Sequence, residues 1–253
     1  MSISAARIGA VTRKELTEFR RSRFIVSTMG VVPVIFLIVP TATILSIKAS
    51  APSAGLDKGI GFALLYLLLI PVVIPSTIAA YSVVGEREQG TLEPVLTTPV
   101  GREEFLIGKA AAILIPAVGI AYVVLGIFLA VVRFGAHPVV AAAVWHSPEL
   151  LAEVFFIPLL AGWAIWICLA ISARASDVRV AQQLGVLASL PPLALTLLLS
   201  LQVINSTLIL AASLAGALLV IDCAAYLVVS KLFDRERLVT GTKPSSGVTG
   251  PAQ

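Results

Sequence analysis

Residues 24–47 contain no charged side chain, and five further runs almost as free of charge follow at 59–84, 105–132, 150–172, 184–204 and 207–230. A helix needs about 20 apolar residues to cross the hydrocarbon core of a bilayer, and each run supplies that length. Backbone polar groups inside lipid must be satisfied within the segment, which leaves helices as the only spanning form that uninterrupted runs allow. Prolines inside the first two runs (Pro33, Pro40, Pro71, Pro75) are compatible with this, because neighbouring helices satisfy the carbonyls they free. The composition agrees: 58% of residues are hydrophobic and 13% are charged, against about 25% charged in ordinary soluble domains. The expected fold class is an all-α integral membrane protein of six transmembrane helices, occupying residues 24–230.

The polar segments divide the rest. Residues 1–23 carry Arg7, Arg13, Lys14, Arg20, Arg21 and Arg23 around a loose apolar stripe of Ile8, Val11, Leu16 and Phe19. That pattern predicts an N-terminal amphipathic helix at the membrane interface. The motif Ala49-Ser50-Ala51 resembles a signal-peptidase site, but the preceding run is too long and Pro52 follows, so it reads as uncleaved. Residues 133–149 and 173–183 read as a loop and a polar link. Residues 231–253 form a Gly-, Ser-, Thr- and Pro-rich tail, expected to be disordered. Of the 18 basic residues, only Lys48, Lys58 and Arg133 fall on one side of a six-span topology. The positive-inside rule then makes the N-terminus, the segment between the second and third spans, and the C-terminus cytoplasmic, in a multi-pass protein of the cytoplasmic membrane.

The segment 85–104 is the longest polar interruption of the membrane domain. Glu86, Arg87 and Glu88 open it between Gly85 and Gly90, two positions where the backbone is expected to loosen. Thr91 is a good N-cap, Glu93 falls in the first turn, and Pro94 is tolerated there. Leu92, Val95 and Leu96 share one face of a short helix that Pro99 ends. Gly101 caps the next helix, with Glu103 and Glu104 on its positive end. An apolar stripe among charges at a water-facing end suits docking on a soluble partner, or equally a loop dipping into headgroups. Lys109, one turn into the third span, is expected to snorkel outward.

Residue chemistry excludes much else. No HExxH, GxSxG or paired histidine and carboxylate occurs at helical spacing, so no catalytic residue is assigned. Gly108-Lys109 fails as a phosphate loop, because Glu103 stands at the first glycine position and Ala110 replaces the Ser or Thr for magnesium. His137 and His146 lack companion ligands, and Cys168 and Cys223 lie in apolar runs, so neither a metal site nor a disulfide is assigned. The basic residues flank spans rather than one soluble face, which argues against nucleic acid as a partner. The deep ionisable candidate is Asp222, nine residues before Lys231, or roughly 13 Å from that end of its helix. It is expected to pair with Lys109 or Arg174 in packing, to line a substrate path with Trp163 and Trp166, or else to sit at headgroup level without a role.

The central motif and its position now allow a comparison. Glu86, Arg87, Glu88, Gly90, Thr91, Leu92, Glu93, Leu96, Pro99, Val100, Arg102, Gly108 and Lys109, between the second and third of six spans, closely resemble the type-2 ATP-binding-cassette (ABC) exporter permeases. Arg13-Lys14-Glu15-Leu16 is similar to the connecting helix of those permeases. The resemblance implies the membrane permease subunit of an exporter, not an enzyme, working with a cytoplasmic ABC ATPase subunit and a second permease copy or a related permease. ATP and magnesium would be held by the ATPase, and no cofactor by this chain. ATPase docking would fall to Glu86, Arg87, Glu88, Thr91, Leu92, Val95, Leu96, Pro99 and Arg102, with Arg13, Lys14 and Phe19 from the N-terminal helix. Family members often carry an external helix between the last two spans, for which Asn205-Ser206 leaves almost no room. The competing expectation is a stand-alone secondary transporter or channel, and a third is a membrane scaffold that moves nothing.

Overall fold

The computed structural model describes residues 3–47, 53–88, 90, 100–175, 177–200 and 208–232. Among the described residues the secondary structure is helical, with no strand. Among the described residues ten helices follow in order: α1 Ala5–Arg21, α2 Arg23–Ser46, α3 Ser53–Leu67, α4 Ile70–Glu88, α5 Arg102–Gly135, α6 Pro138–Trp145, α7 Pro148–Arg174, α8 Val178–Ala188, α9 Leu190–Ser200 and α10 Leu208–Leu232. Six helical segments are long and apolar enough to cross a membrane. The stretches 91–99, 201–207 and 233–253, which include the expected short helix, the last connection and the tail, lie outside the described residues.

Two of the six spans are interrupted, each just before a proline. The second span divides at Leu68-Leu69. Pro71 has no N–H for the carbonyl of Leu67, four residues back, and its ring crowds that carbonyl. The helix therefore ends at Leu67, passes through three-residue turns such as Leu69 N–H to Tyr66 O at 3.3 Å, and restarts with Pro71 in the first turn of α4. The fifth span divides at Ser189 in the same way, since Pro192 cannot bond the carbonyl of Ala188. That carbonyl is taken instead by the indole of Trp163, whose Nε1 donates to it at 3.2 Å.

The second span is the centre of the bundle. Of its most apolar stretch, 72% is buried, against 17% for the first and last spans. Ile70, Ile74, Ile78, Ala79, Ala80, Val83 and Val84 on α4 are fully enclosed. On the far side, α7 and α10 run parallel. Gly162 lies against Asp222, and Trp166 meets Tyr226 edge to face four residues later on both helices. Parallel neighbours need an odd number of crossings between them, which the broken α8–α9 span provides.

The expected loop after the third span holds a helix of its own. His137 Nδ1 accepts the N–H of Val139 at 3.4 Å and Pro138 occupies the first turn, so α6 is capped at its start. His146 Nδ1 lies 2.8 Å from the Ala142 carbonyl at its other end. Each histidine is thus engaged at an end of one short helix. The expected polar link at 173–183 is also mostly helical, because Asp177 accepts the Arg179 N–H at 2.6 Å and starts α8.

Candidate functional site

The polar residues of this chain gather where α1, α4 and α5 meet, at the end of the bundle that carries the segment 89–101. Glu104 stands at the third position of α5 and reaches back to its own N-cap, accepting the Gly101 N–H at 2.8 Å. It also takes the Arg7 guanidinium, Nε at 2.8 Å and Nη2 at 2.7 Å, and the Ser4 N–H at 2.7 Å. One carboxylate therefore caps α5 and fastens the start of α1 to it. The hydrogen bonds to Glu104 hold the Arg7 pKa above its ordinary value, against the opposing effect of desolvation.

Two turns further along α1 is a second, deeper junction. Val11 packs on Gly108, where a Cβ would come within 2.6 Å of it, and Thr12 Oγ1 donates to the Gly108 carbonyl at 3.2 Å. Only a residue without a side chain permits that approach. Beside it Lys109 is wholly buried. Its Nζ donates to Glu15 Oε1 at 3.0 Å and to the Ser82 carbonyl at 3.3 Å. It also lies 2.9 Å from Glu86 Oε2 and 5.1 Å from the centre of the Phe105 ring. At that distance Lys109 and Glu86 form a buried, charge-assisted pair. Lys14 closes the group from the outside, bonding Glu86 Oε1 at 2.9 Å and Glu15 Oε1 at 3.3 Å and pairing with Glu18 at 3.2 Å. Burial lowers the Lys14 pKa, but the surrounding carboxylates of Glu15, Glu86 and Glu18 outweigh it and hold the ammonium well above its ordinary range. The carboxylate oxygens of Glu15, Glu18 and Glu86 lie within 4.8 Å of one another, the spacing of a metal site. Lys14 and Lys109 already supply the compensating charge.

The last turns of α4 are engaged from a third direction. Ser172 of α7 donates to the Ala80 carbonyl at 2.6 Å and accepts the N–H groups of Val83 and Val84 at 3.2 and 3.1 Å. A hydroxyl set into the hydrogen-bond ladder of a neighbouring helix fixes the two in register. Gly85 continues the helix, with the Tyr81 ring filling the place a Cβ would take.

These placements alter several sequence expectations. Lys109 does not snorkel: it turns inward because two carboxylates await it there. It is therefore unavailable to Asp222, and Arg174 is exposed. Glu86 and Phe19, read as docking residues, are buried in the chain's own core, while Arg13, Glu88 and Arg102 face outward and Lys14 is half-buried. Arg87 belongs to α4, and its side chain lies outside the described residues. So do Thr91, Leu92, Val95, Leu96 and Pro99. Sequence reasoning gave no role to Glu15 or Ser172. Glu15 was signalled, since it falls four residues from both Val11 and Phe19, a charge in the middle of an apolar stripe. It also passed over Glu153 of α7, a second intramembrane carboxylate that is 2% exposed.

Residues 12–181, more than half of the chain, match the model of a family described as ABC-2 family transporter protein. No curated protein matches the chain.

Proposed function

The chain belongs to the ABC-2 family of transporter proteins, and on that premise we propose that it is the membrane permease of an exporter driven by ATP hydrolysed on a separate ATPase subunit. The observation that carries this reading is the fastening of both flanks of the segment 89–101 to one helix. Glu86 on the incoming side holds Lys14, and Glu104 on the outgoing side holds Arg7. A force applied to that segment is thereby shared by α1, α4 and α5. Ser172 passes it on to α7.

In this reading Leu92, Val95 and Leu96 dock in a groove of the ATPase, with Thr91 and Pro99 bounding their helix and Arg87, Glu88, Arg102 and Arg13 at its rim. ATP and magnesium reside on the ATPase, so this chain performs no chemical step. It moves as a lever. Closure of a pair of ATPases would draw the segments of two permease copies together and swing the spans between inward- and outward-facing arrangements. The excess of basic residues at the N-terminus, at 85–109 and at the C-terminus supports a cytoplasmic location for these parts, in the cytoplasmic membrane.

The test is purification from native membrane with Leu92→Asp and Leu96→Asp together. Burying one such leucine in an interface contributes about 1.5–3 kcal/mol. The wild-type chain is expected to bring an ATPase subunit with it, and the double variant to insert normally and lose that subunit. An ATPase retained at the wild-type level by the double variant refutes the docking stripe.

A further inference from the structure

The carboxylates at the α1–α4–α5 junction each meet a cation: Glu15 and Glu86 meet Lys109 and Lys14, and Glu104 meets Arg7. Asp222 does not. It lies in the seam between α7 and α10, 9% exposed, and its Oδ1 has no hydrogen-bond partner. No Lys or Arg among the described residues comes within ion-pair distance of it. A carboxylate at that depth is costly and is retained where something else compensates it.

The seam around Asp222 has a definite chemistry. Gly162 makes room for the carboxylate, since a Cβ there would stand 2.8 Å from Oδ2. One helical turn further along each helix, Trp166 and Tyr226 meet edge to face with ring centres 5.2 Å apart. Trp163, next to Gly162, is held in place by its bond to Ala188. A carboxylate beside aromatic rings in an apolar wall is what recognises a cation with an apolar body: the carboxylate answers the charge and the ring faces add to it. Glu153 lacks this setting. It is enclosed in the bundle at 2% exposure, against 9% for Asp222. Cys223, the residue after Asp222 on α10, is exposed.

We propose that Asp222, Trp166 and Tyr226 form a binding site for a lipophilic organic cation at the α7–α10 seam, and that such cations are the cargo class of this transporter. The second clause rests on the permease reading above; the first does not.

Cys223 is a native reporter, since the other cysteine, Cys168, is buried. The purified chain in nanodiscs of zwitterionic phospholipid is treated with N-ethylmaleimide, with and without tetraphenylphosphonium as probe. Tetraphenylphosphonium is expected to slow alkylation of Cys223, and its neutral analogue triphenylphosphine oxide to leave it unchanged. Asp222→Asn should raise the half-protecting concentration about tenfold or more, and Asp222→Glu should retain most of the protection. Trp166→Leu and Tyr226→Leu keep the carboxylate and should each raise that concentration about threefold. They keep the test decisive if Asp222→Asn does not fold. Equal protection by the neutral analogue, protection that survives in Asp222→Asn or in both ring variants, or a Cys223 that does not react at all, overturns the proposal. Binding is read without ATP, so loss of the ATPase in the docking test leaves this result standing. A chain that recruits its ATPase but fails here refutes the site alone.

Discussion

Replacing Lys109 by methionine tests the buried junction most directly. The ammonium is 3.0 Å from Glu15 and 2.9 Å from Glu86. At an effective dielectric near 20, two such pairs attract by about 6 kcal/mol each. Desolvating the ions costs several kcal/mol apiece, so the intact group is close to neutral in net stability. Removing one member is different. It leaves Glu15 and Glu86 facing one another with only Lys14 between them, and breaking a buried pair in this way costs about 3–5 kcal/mol. For a chain of this size that corresponds to a fall in melting temperature of order 10 °C. Lys109→Met with Glu15→Gln removes one charge of each sign and leaves the Lys14–Glu86 pair, so the double variant should recover at least half of the loss. Thermal melts in nanodiscs give both numbers. A Lys109→Met chain as stable as wild type, or a double variant showing the plain sum of its single effects, refutes this account of the junction.

Two other substitutions have definite outcomes. Trp163→Phe keeps the packing and removes the donor to the Ala188 carbonyl, which Pro192 has left free; a loss of about 1–3 kcal/mol is expected in the same melts, and an unchanged melt refutes the indole's role at that break. Ser172→Ala removes a hydroxyl bonded to Ala80, Val83 and Val84, and should cost about 1–2 kcal/mol and speed amide exchange at Val83 and Val84, with unchanged exchange counting against the bridge.

The spans were legible because length and apolar content decide whether a helix crosses a membrane, and both are properties of one segment. The breaks were not. Pro71 was visible, but so was Pro33, and α2 continues through Pro33 while the second span divides at Pro71. A proline in a segment therefore does not by itself tell whether the span divides there. The same limit hid the junction. Lys109 one turn into a span reads as a snorkelling lysine until Glu15 and Glu86, 94 and 23 positions away in the chain, are known to sit beside it. Glu86, which the family resemblance assigns to docking, pairs with Lys14 and Lys109 within the chain, and Phe19 is buried in the apolar core.

Glu15 also settles how α1 lies. A basic helix with an apolar stripe can dip that stripe into the headgroup boundary or pack it on protein, and Val11, Leu16 and Phe19 serve either purpose equally well. The carboxylate between them does not. Pressed toward lipid, Glu15 would enter the acyl boundary with no donor on the other side, a loss that the apolar contacts of two or three side chains would hardly offset. Pressed against α5, the same carboxylate meets Lys109, whose own burial it relieves, and the missing side chain of Gly108 lets the helices close to the contact at Val11. The stripe therefore turns to the bundle, and the face left outward carries Arg13, Arg20 and Arg21 with the small residues Ala6, Gly9 and Ala10 between α1 and water. With α1 seated this way, Arg7 and Lys14 fall two turns apart on it, within reach of Glu104 on one flank of the segment 89–101 and of Glu86 on the other. A single buried charge in an apolar stripe thus fixes the helix that holds both ends of the segment on which docking depends.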